Sequence, residues 1–370
     1  MNKPIIPVNE PYLGQREKDL VNECLESGWI SSAGKYIEKF EKEFAAYCEC
    51  SGGVTTTSGT TAIHLALKSL DVGPRDEVLV PAFTMVGSVY PIVQCGASPV
   101  FVDSEPDTGN IDVQDLESKI TSSTKAILIV HIYGHPVDMD PICDIARSRN
   151  LKVVEDAAEA HGALYKGRKT GSLGDVGCFS FYANKIITTG EGGMLVSNDT
   201  ELLKKARQLK DLAHGRVRFT HDLPEAFNYR MTNIQAAIGL AQLERIEETI
   251  KKKINNAEQY TTQLQNISCL KLPVCRSWAR NVYWMYGVQL MDNVQFKKDL
   301  LIETLKNEGI DTRSFFHPLN TQKAFKKYGK QDCPNAESLG KRGFYLPSGQ
   351  TLTINQIHRV AETLSRLLRK

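Results

Sequence analysis

The sequence lacks a long uninterrupted apolar run. Its longest apolar region, residues 79–102, is interrupted by Pro81, Pro91 and Pro99. It is therefore better interpreted as strand, loop, helix and strand than as a membrane span. The first ten residues, MNKPIIPVNE, also lack the apolar core of a signal peptide. We expect no membrane partner.

An excess of charge of one sign is also missing. The chain of 370 residues has 45 Lys and Arg against 43 Asp and Glu, a formal net charge of +2. Such a balance produces no long-range field that would hold nucleic acid or an anionic membrane. We therefore expect no nucleic-acid partner, and any anionic ligand must be bound by local groups.

Paired cysteine motifs are absent as well. The nine cysteines include no pair of CxxC clusters with metal spacing, and an odd, scattered set suits a reducing compartment. We expect a cytoplasmic protein. His131 and His135 are four residues apart, but they flank the end of an apolar run with Gly134 between them and Pro136 after. That context is not helical, so we expect no metal site.

What the chain does contain is an alternation of short apolar runs with helical patterns. This alternation predicts an α/β sheet covered by helices on both faces, over residues 50 to about 235. The pattern of 231–264 predicts one long connecting helix, and a smaller domain should follow it and end in a helix over INQIHRVAETLSRLL. We place the domain boundary between 1–235 and 236–370. The predicted strands are 77–81, 98–103, 125–134, 151–162, 176–181 and 192–197.

Ligands of open α/β sheets bind beyond the carboxyl ends of the strands, so the residues after each run are the first candidates. In TTTSGTTAIHLAL, Ser58, Gly59, Thr60 and Thr61 precede an apolar helical pattern. Free N–H groups and hydroxyls at a helix N-terminus can bind an anion. An ordinary helix cap is the alternative, and it needs only one of these residues.

Two adjacent carboxylates end another apolar run, VVEDAAEAHG. Alternation along a strand sends Glu155 and Asp156 to opposite faces, so one can face a cleft while the other finds a structural partner. A pair that caps the next helix is an equal alternative on this stretch alone. Glu159 follows three residues later and shares a face with Asp156 if a helical turn begins there.

A lysine among small residues completes the set. Lys185 lies in YANKIITTGEGG, five residues after Ser180. Pyridoxal phosphate needs a lysine for the Schiff base, a carboxylate for the pyridine nitrogen, a phosphate cup and a group over the ring. The parts found along the chain match this cofactor.

Over nearly its whole length the chain resembles the sugar aminotransferases of the DegT/DnrJ/EryC1/StrS family. The resemblance implies the aspartate aminotransferase fold (fold type I): a large α/β domain with a mixed, mostly parallel seven-stranded sheet, and a smaller C-terminal α/β domain. The matching segments are GWISSAGKYIEKFEKEFAAY, SGTTAIHLAL, DEVLVPAFT, HIYGHPVDMDPI, VVEDAAEAHGA, GDVGCFSFYANKIITTGEGGMLVSND and FNYRMTNIQAAIGLAQLE.

The resemblance also implies roles for individual residues. Lys185 would be the Schiff-base lysine, and Asp156 would pair with the pyridine nitrogen. The other cofactor-binding positions are Ser58, Gly59, Thr60 and Ser180 at the phosphate, and Asn228, given to the same phosphate by the neighbouring subunit of a homodimer with shared active sites.

Two positions depart from many relatives. Glu159 matches the position near the ring hydroxyl, where many relatives have His or Gln. Met85 matches a position at which several relatives stack an aromatic ring on the cofactor, and a polarizable thioether can cover the same face. A plain core role for Met85 is the alternative.

The reaction implied is transfer of an amino group from L-glutamate to C4 of a nucleotide-linked 4-keto-6-deoxyhexose. The best single prediction for the substrate is GDP-4-keto-6-deoxymannose, which would give GDP-perosamine. Alternatives are a UDP- or dTDP-linked 4-keto-6-deoxysugar, or a cofactor-binding structural or regulatory relative. Residues whose segments resemble substrate-facing ones, although each could equally be packing, are Tyr12, Trp29, Ser31, Tyr286 and His317.

Overall fold

The structure, a computed structural model, describes residues 4–215, 217, 219–291, 297–329 and 331–368. Strands in the first 200 residues are β1 (Gly52–Thr56), β2 (Glu77–Pro81), β3 (Ser98–Val102), β4 (Thr124–Val130), β5 (Lys152–Asp156), β6 (Leu164–Tyr165), β7 (Arg168–Lys169), β8 (Val176–Ser180) and β9 (Gly193–Ser197).

Seven of these strands form one sheet in the order β1-β9-β8-β5-β4-β2-β3. Only β9 runs antiparallel to its neighbours β1 and β8, so the predicted mixed, mostly parallel seven-stranded sheet is confirmed. Each of the six predicted runs overlaps one strand, but 125–134 and 151–162 were predicted too long, because β4 ends at Val130 and β5 at Asp156. The sequence reasoning missed β1, because GGVTT has a single apolar side chain, Val54, and no alternating pattern.

Helices cover both faces of this sheet, and helix α3, which follows β1, packs against β8 and β9. The helices of this part are α1 (Gln15–Ser27), α2 (Lys35–Tyr47), α3 (Gly59–Ser69), α4 (Tyr90–Gln94), α5 (Val113–Ser118), α6 (Met139–Arg149) and α7 (Thr200–Lys210). Short 3-10 turns lie at Val86–Ser88 and Ile132–Gly134.

The prediction of one long helix over 231–264 is wrong. Two helices replace it, α8 (Asn233–Leu243) and α9 (Ile246–Leu264). Arg245 leaves the helical conformation between them, with φ −123° and ψ 18°. Its guanidinium donates to the buried carboxylate of Glu17 on α1 at 2.6 Å. The apolar pattern continues across this break, so periodicity could not locate it.

The rest of the chain forms a smaller sheet with its own core. The remaining strands are β10 (Leu270–Lys271), β11 (Ala279–Arg280), β12 (Tyr286–Leu290), β13 (Arg313–Ser314) and β14 (Gly343–Leu346); the remaining helices are α10 (Lys298–Asn307), α11 (Pro334–Arg342) and α12 (Ile354–Leu368), with 3-10 turns at Leu319–Thr321 and Lys323–Tyr328. Four strands pair in the order β10-β12-β14-β13, while β11 joins β6 and β7.

The second core collects residues from both ends of the chain. Ile6 lies in it beside the apolar faces of α9, α10 and α12. None of the helices in the described part of the chain has the length and hydrophobicity that a bilayer-spanning segment needs. The boundary between 1–235 and 236–370 stays a prediction.

Candidate active site

Asp156 ends the central strand β5, and its carboxylate is fixed from both sides. The hydroxyl of Ser88 donates to Oδ2 at 2.7 Å, and the backbone N–H of Ala158 donates to Oδ1 at 3.1 Å. Burial raises the pKa of Asp156, while its two donors and the nearby Lys185 lower it. The sequence predicts an acid here facing a cleft, and the structure gives that acid an oriented carboxylate.

Glu155 points to the other face of the sheet, as alternation along the strand predicts. Its Oε2 lies 2.9 Å from Nε2 of His131 and accepts the N–H of Gly171 at 2.8 Å. Its Oε1 accepts the N–H groups of Leu173 and Gly174, both at 2.7 Å. The Glu155 carboxylate therefore holds the loop between β7 and β8.

Helix α3 begins at the same edge of the sheet, against the ends of β8 and β9. Ser58 caps it through its side chain, which accepts the N–H of Thr61 at 3.2 Å. A Cβ atom on Gly59 would lie 2.7 Å from Cβ of Ser180, and one on Gly193 would lie 2.2 Å from the Ser58 carbonyl oxygen. Only glycine allows this close approach, which brings the first turn of α3 against Ser180.

The start of α3 and Ser180 together form a cup that could hold an anion, and Thr60 lies on the other side of this cup. Its Oγ1 would lie 2.9 Å from a Cβ atom on Gly87, so it contacts the turn after β2. That turn also contains Met85, whose thioether accepts the N–H of Gly87 at 2.9 Å and whose side chain is 53% exposed. The core alternative for Met85 does not hold in the chain as described.

Lys185 lies in the loop between β8 and β9. Its backbone N–H donates to the carbonyl of Tyr182 at 2.9 Å, and its ammonium lies 3.9 Å from the centroid of the Trp284 ring. Burial lowers the pKa of Lys185. The carboxylates of Glu159 and Asp156 act in the other direction, but the effect of burial is larger. An amine that loses its proton more readily can act as a nucleophile and a base.

Glu159 lies close enough to Lys185 for each to affect the other's charge. Burial raises the pKa of Glu159 to about 7, against the pull of Lys185. Its Oε2 accepts the backbone N–H of Tyr133 at 2.8 Å. Tyr133 has φ 53°, in the left-handed region that side chains rarely adopt. This strained backbone directs the Tyr133 N–H at the Glu159 carboxylate.

These groups fit pyridoxal phosphate. The cup formed by Gly59, Thr60 and Ser180 offers free N–H groups and hydroxyls for a phosphate. The buried carboxylate of Asp156 suits a protonated ring nitrogen, because burial penalises a lone negative charge and a cationic partner removes that penalty. Lys185 supplies an amine whose pKa is already lowered.

Asn228 lies at the surface of the chain. Its side chain is exposed and its Oδ1 accepts from Nε of Arg230 at 3.0 Å. The rings of Phe227 and Tyr229, on either side of Asn228, stack on each other. Tyr229 also contacts α3, where its Oη lies 3.0 Å from Nδ1 of His64. The segment therefore leaves the Asn228 side chain exposed at the surface of its own chain.

Four of the five substrate-side candidates lie at the surface or on ordered loops. Trp29 is 59% exposed, and the carbonyls of Trp29 and Ser31 accept from the side chain and backbone of Asn233. Tyr12 is 49% exposed, and His317 is also exposed. Their contact with substrate stays a prediction.

The structure does not bring Tyr286 to this site. Its ring is 1% exposed in the second core, 5.0 Å from that of Tyr260, and its hydroxyl lies 2.8 Å from that of Thr261. Of the two roles considered for Tyr286, substrate contact and packing, the structure shows packing.

The two histidines of HIYGH have backbone partners. Nδ1 of His131 accepts the N–H of Val137 at 3.0 Å, so Nε2 carries the proton donated to the Glu155 carboxylate. Nδ1 of His135 donates to the carbonyl of Pro136 at 2.7 Å, and its Nε2 accepts the N–H of Arg276 at 3.1 Å.

Three contacts at the site escaped the sequence reasoning. Ser88 holds Asp156, Tyr133 holds Glu159, and Trp284 contacts Lys185. Ser88 follows the predicted strand 77–81, and position after a strand end is the one signal that could have indicated it. Tyr133 lies inside the predicted run 125–134, whose strand ends at Val130, so no signal in the sequence indicated its role. Trp284 belongs to a segment already considered for the substrate side, but the sequence favoured its neighbour Tyr286.

Comparison with known proteins gives consistent matches over the length of the chain. Residues 11–365 match the model of the DegT/DnrJ/EryC1/StrS aminotransferase family. GDP-perosamine synthase of Caulobacter vibrioides is 44% identical and covers 99% of both chains. GDP-perosamine synthase of Escherichia coli O157:H7 is 44% identical over 97% of this chain and 98% of its own. The solved PLP form of the putative sugar aminotransferase Spr1654 from Streptococcus pneumoniae is 28% identical, with a TM-score of 0.93 over 99% of both chains.

Proposed function

The chain belongs to the DegT/DnrJ/EryC1/StrS aminotransferase family, and on this basis we propose that it transfers an amino group from L-glutamate to C4 of GDP-4-keto-6-deoxymannose, giving GDP-perosamine. The observation that carries the substrate is the 44% identity, over nearly the whole chain, to two relatives named GDP-perosamine synthase. Transfer to C4 is supported by NKIITTGEGG, which resembles relatives that act at that carbon.

The predicted fold, the aminotransferase class and the cofactor are confirmed by the family match and the structural likeness. The protein is a pyridoxal-phosphate-dependent aminotransferase with an aspartate-aminotransferase-like fold. When bound, the cofactor supplies a cationic ring that stabilises negative charge on the carbon next to the reacting nitrogen. The protein has to bind that ring, keep it protonated and move protons beside it.

Asp156 is the group that holds the proton on the ring nitrogen. Its Oδ2 is oriented by Ser88 and its Oδ1 by the N–H of Ala158. A carboxylate placed against a cation in a buried site favours the charged form of that cation. Its electrostatic contribution is largest while negative charge develops on the substrate carbon.

Lys185 is the nucleophile and the proton carrier. Its amine would hold the cofactor at rest and, once released, would move the proton from Cα of the amino donor to the cofactor. In the second half of the reaction the same amine would move a proton from the cofactor to C4 of the sugar. Burial supports both roles, because it lowers the pKa of the amine and so increases its neutral fraction.

The working unit in this proposal is a homodimer with shared active sites. Asn228 would bind the phosphate of the neighbouring subunit's cofactor. The exposed side chain of Asn228, between the stacked Phe227 and Tyr229, supports this assignment.

The test offers GDP- and UDP-linked 4-keto-6-deoxyhexoses to the purified protein with cofactor and excess L-glutamate. The measured quantity is kcat/KM for each sugar, because it measures discrimination between substrates. Lys185→Ala is the matched control, and NMR of the product identifies the aminated carbon. A preference for the UDP sugar would overturn the GDP assignment, and amination at C3 would overturn the C4 assignment as well.

A further inference from the structure

The backbone carbonyl next to Lys185 accepts two side-chain hydrogen bonds. Nδ2 of Asn9 donates to the carbonyl oxygen of Asn184 at 2.7 Å. Nε1 of Trp284 donates to the same oxygen, also at 2.7 Å. Oδ1 of Asn184 itself is buried without a hydrogen-bond partner in the described part of the chain. The backbone carbonyl, rather than that oxygen, is therefore where this segment is held.

The peptide unit between Asn184 and Lys185 is held on its other side as well. The Lys185 N–H donates to the carbonyl of Tyr182 at 2.9 Å. A peptide unit is planar, so hydrogen bonds to both its carbonyl and its N–H fix its plane. The plane sets the direction in which the Lys185 side chain leaves the backbone.

The two donors come from parts of the chain that are far from Lys185 in sequence. Asn9 belongs to residues 4–10, which we call the N-terminal strap. The strap is anchored to the second core by Ile6, whose N–H donates to the Gly309 carbonyl at 2.9 Å, and by the Val8 carbonyl, which accepts the Ser348 N–H at 2.7 Å. Asn9 therefore connects the second core to the loop of Lys185.

Trp284 acts on Lys185 in two ways. Its N–H holds the Asn184 carbonyl, and its ring lies 3.9 Å from Nζ of Lys185. The ring is 4% exposed. One rigid indole therefore holds the backbone before Lys185 and contacts the end of its side chain, where the face of the ring attracts a cation.

We propose that Asn9 and Trp284 are positioning residues for Lys185, which together fix the peptide from which its side chain reaches the cofactor. The inference rests on the proposed role of Lys185. Its physical basis is that small displacements of a reacting group lower the rate strongly.

The test uses the full chain with Asn9→Asp, which keeps the shape of the side chain and removes the donor, and Trp284→Phe, which keeps a ring and removes the N–H. Each variant should lower kcat about fivefold, the effect of one lost hydrogen bond, while KM for glutamate changes less than about twofold. The double variant should lose more than the product of the two single losses, because the Asn184 carbonyl then has no side-chain donor.

Two readouts do not depend on turnover. The first is the rate at which borohydride traps the cofactor on the protein, with the modified lysine located by peptide mapping. The second is the pH dependence of cofactor uptake by protein from which it was removed. Burial lowers the pKa of Lys185 in the native chain. We expect a higher apparent pKa for this amine in both variants, because a loosened side chain becomes hydrated.

Thr351→Ala is the matched control. It removes a bond from Thr351 to Glu10 at 2.8 Å, which ties the strap to the second core without contacting Asn184. Its trapping rate and pH profile should equal those of wild type. Asn9→Ala is a second variant in case the aspartate disturbs folding, and the thermal midpoint of every variant is measured.

Folded Asn9 and Trp284 variants with wild-type trapping rate, pH profile and kcat would overturn the positioning role. So would an equal change in Thr351→Ala, since that would indicate general loosening. Trapping on a lysine other than Lys185 would instead refute the proposed site, so the two failures can be told apart.

Discussion

The neighbouring carboxylates Glu155 and Asp156 should respond in opposite ways to the loss of one oxygen. We expect Glu155→Gln to lower stability strongly and leave the chemistry nearly intact. Asp156→Asn should lower turnover severely and leave stability nearly intact. The two side chains are adjacent on β5, so the comparison separates the two faces of one strand.

The size of the Glu155 effect follows from its four donors. Each oxygen of the carboxylate faces two of them: His131 and Gly171 at Oε2, Leu173 and Gly174 at Oε1. A glutamine keeps one oxygen, so in either orientation its NH2 group faces two donors. At about 1–3 kcal/mol for each buried group left unpaired, we expect a loss of about 4 kcal/mol in the free energy of unfolding.

A change of tautomer at His131 cannot relieve this loss. If the glutamine NH2 faced Nε2, that nitrogen would have to accept and Nδ1 would have to carry the proton. Nδ1, however, already accepts the backbone N–H of Val137 at 3.0 Å. The two N–H groups would then face each other.

Asp156 has an adaptable partner instead. The hydroxyl of Ser88 can rotate to accept from an amide N–H, while the amide oxygen keeps the bond from Ala158. We expect a stability change within about 1 kcal/mol. Turnover should fall at least about 100-fold, because a neutral amide gives the ring nitrogen no countercharge.

The assay measures urea unfolding at one fixed protein concentration without added cofactor, followed by tryptophan fluorescence, together with kcat and kcat/KM. Fixed concentration matters because association of subunits shifts apparent stability. Equal loss of turnover in the two folded variants would refute the assignment of Asp156 to the cofactor. Wild-type stability of Glu155→Gln would refute the hydrogen-bond accounting.

Three further predictions concern the remaining charged and shared groups. Lys185→Ala should lose turnover while remaining folded and retaining the cofactor non-covalently, as seen by absorbance after gel filtration; residual turnover above a few per cent, roughly, would contradict its role. Inactive Lys185→Ala and Asn228→Ala subunits should regain activity when mixed, because one site of the heterodimer receives both intact residues; no recovery despite demonstrated subunit exchange would count against a shared site. Burial raises the pKa of Glu159 from its ordinary 4.5 to about 7, so the folded cofactor-free protein binds an extra proton between these values. The stability of wild type relative to Glu159→Gln should therefore fall by about 3 kcal/mol as the pH rises from 4.5 to 7, and parallel unfolding curves over that range would contradict the shift.

Much of this protein was determined by local sequence. Strands formed in all six predicted runs because short continuous apolar segments suit the strands of a sheet that is buried on both faces. The opposite directions of Glu155 and Asp156 follow from the two-residue period of a strand. The start of α3 at Gly59, behind a capping serine, also follows from local chemistry. These features depend on residues a few positions apart.

The tertiary structure alone decided which side chains complete the site. Ser88 is 68 positions from the carboxylate that it holds, and Trp284 is 100 positions from Asn184. Periodicity could not choose between Trp284 and Tyr286, because residues two apart share a face of a strand. Trp284 precedes β12 and packs in the first core, whereas Tyr286 begins β12 and packs in the second. The break at Arg245 likewise coincides with a partner on α1. Such contacts depend on how distant elements cross in space, and no local pattern in the chain encodes that geometry by itself.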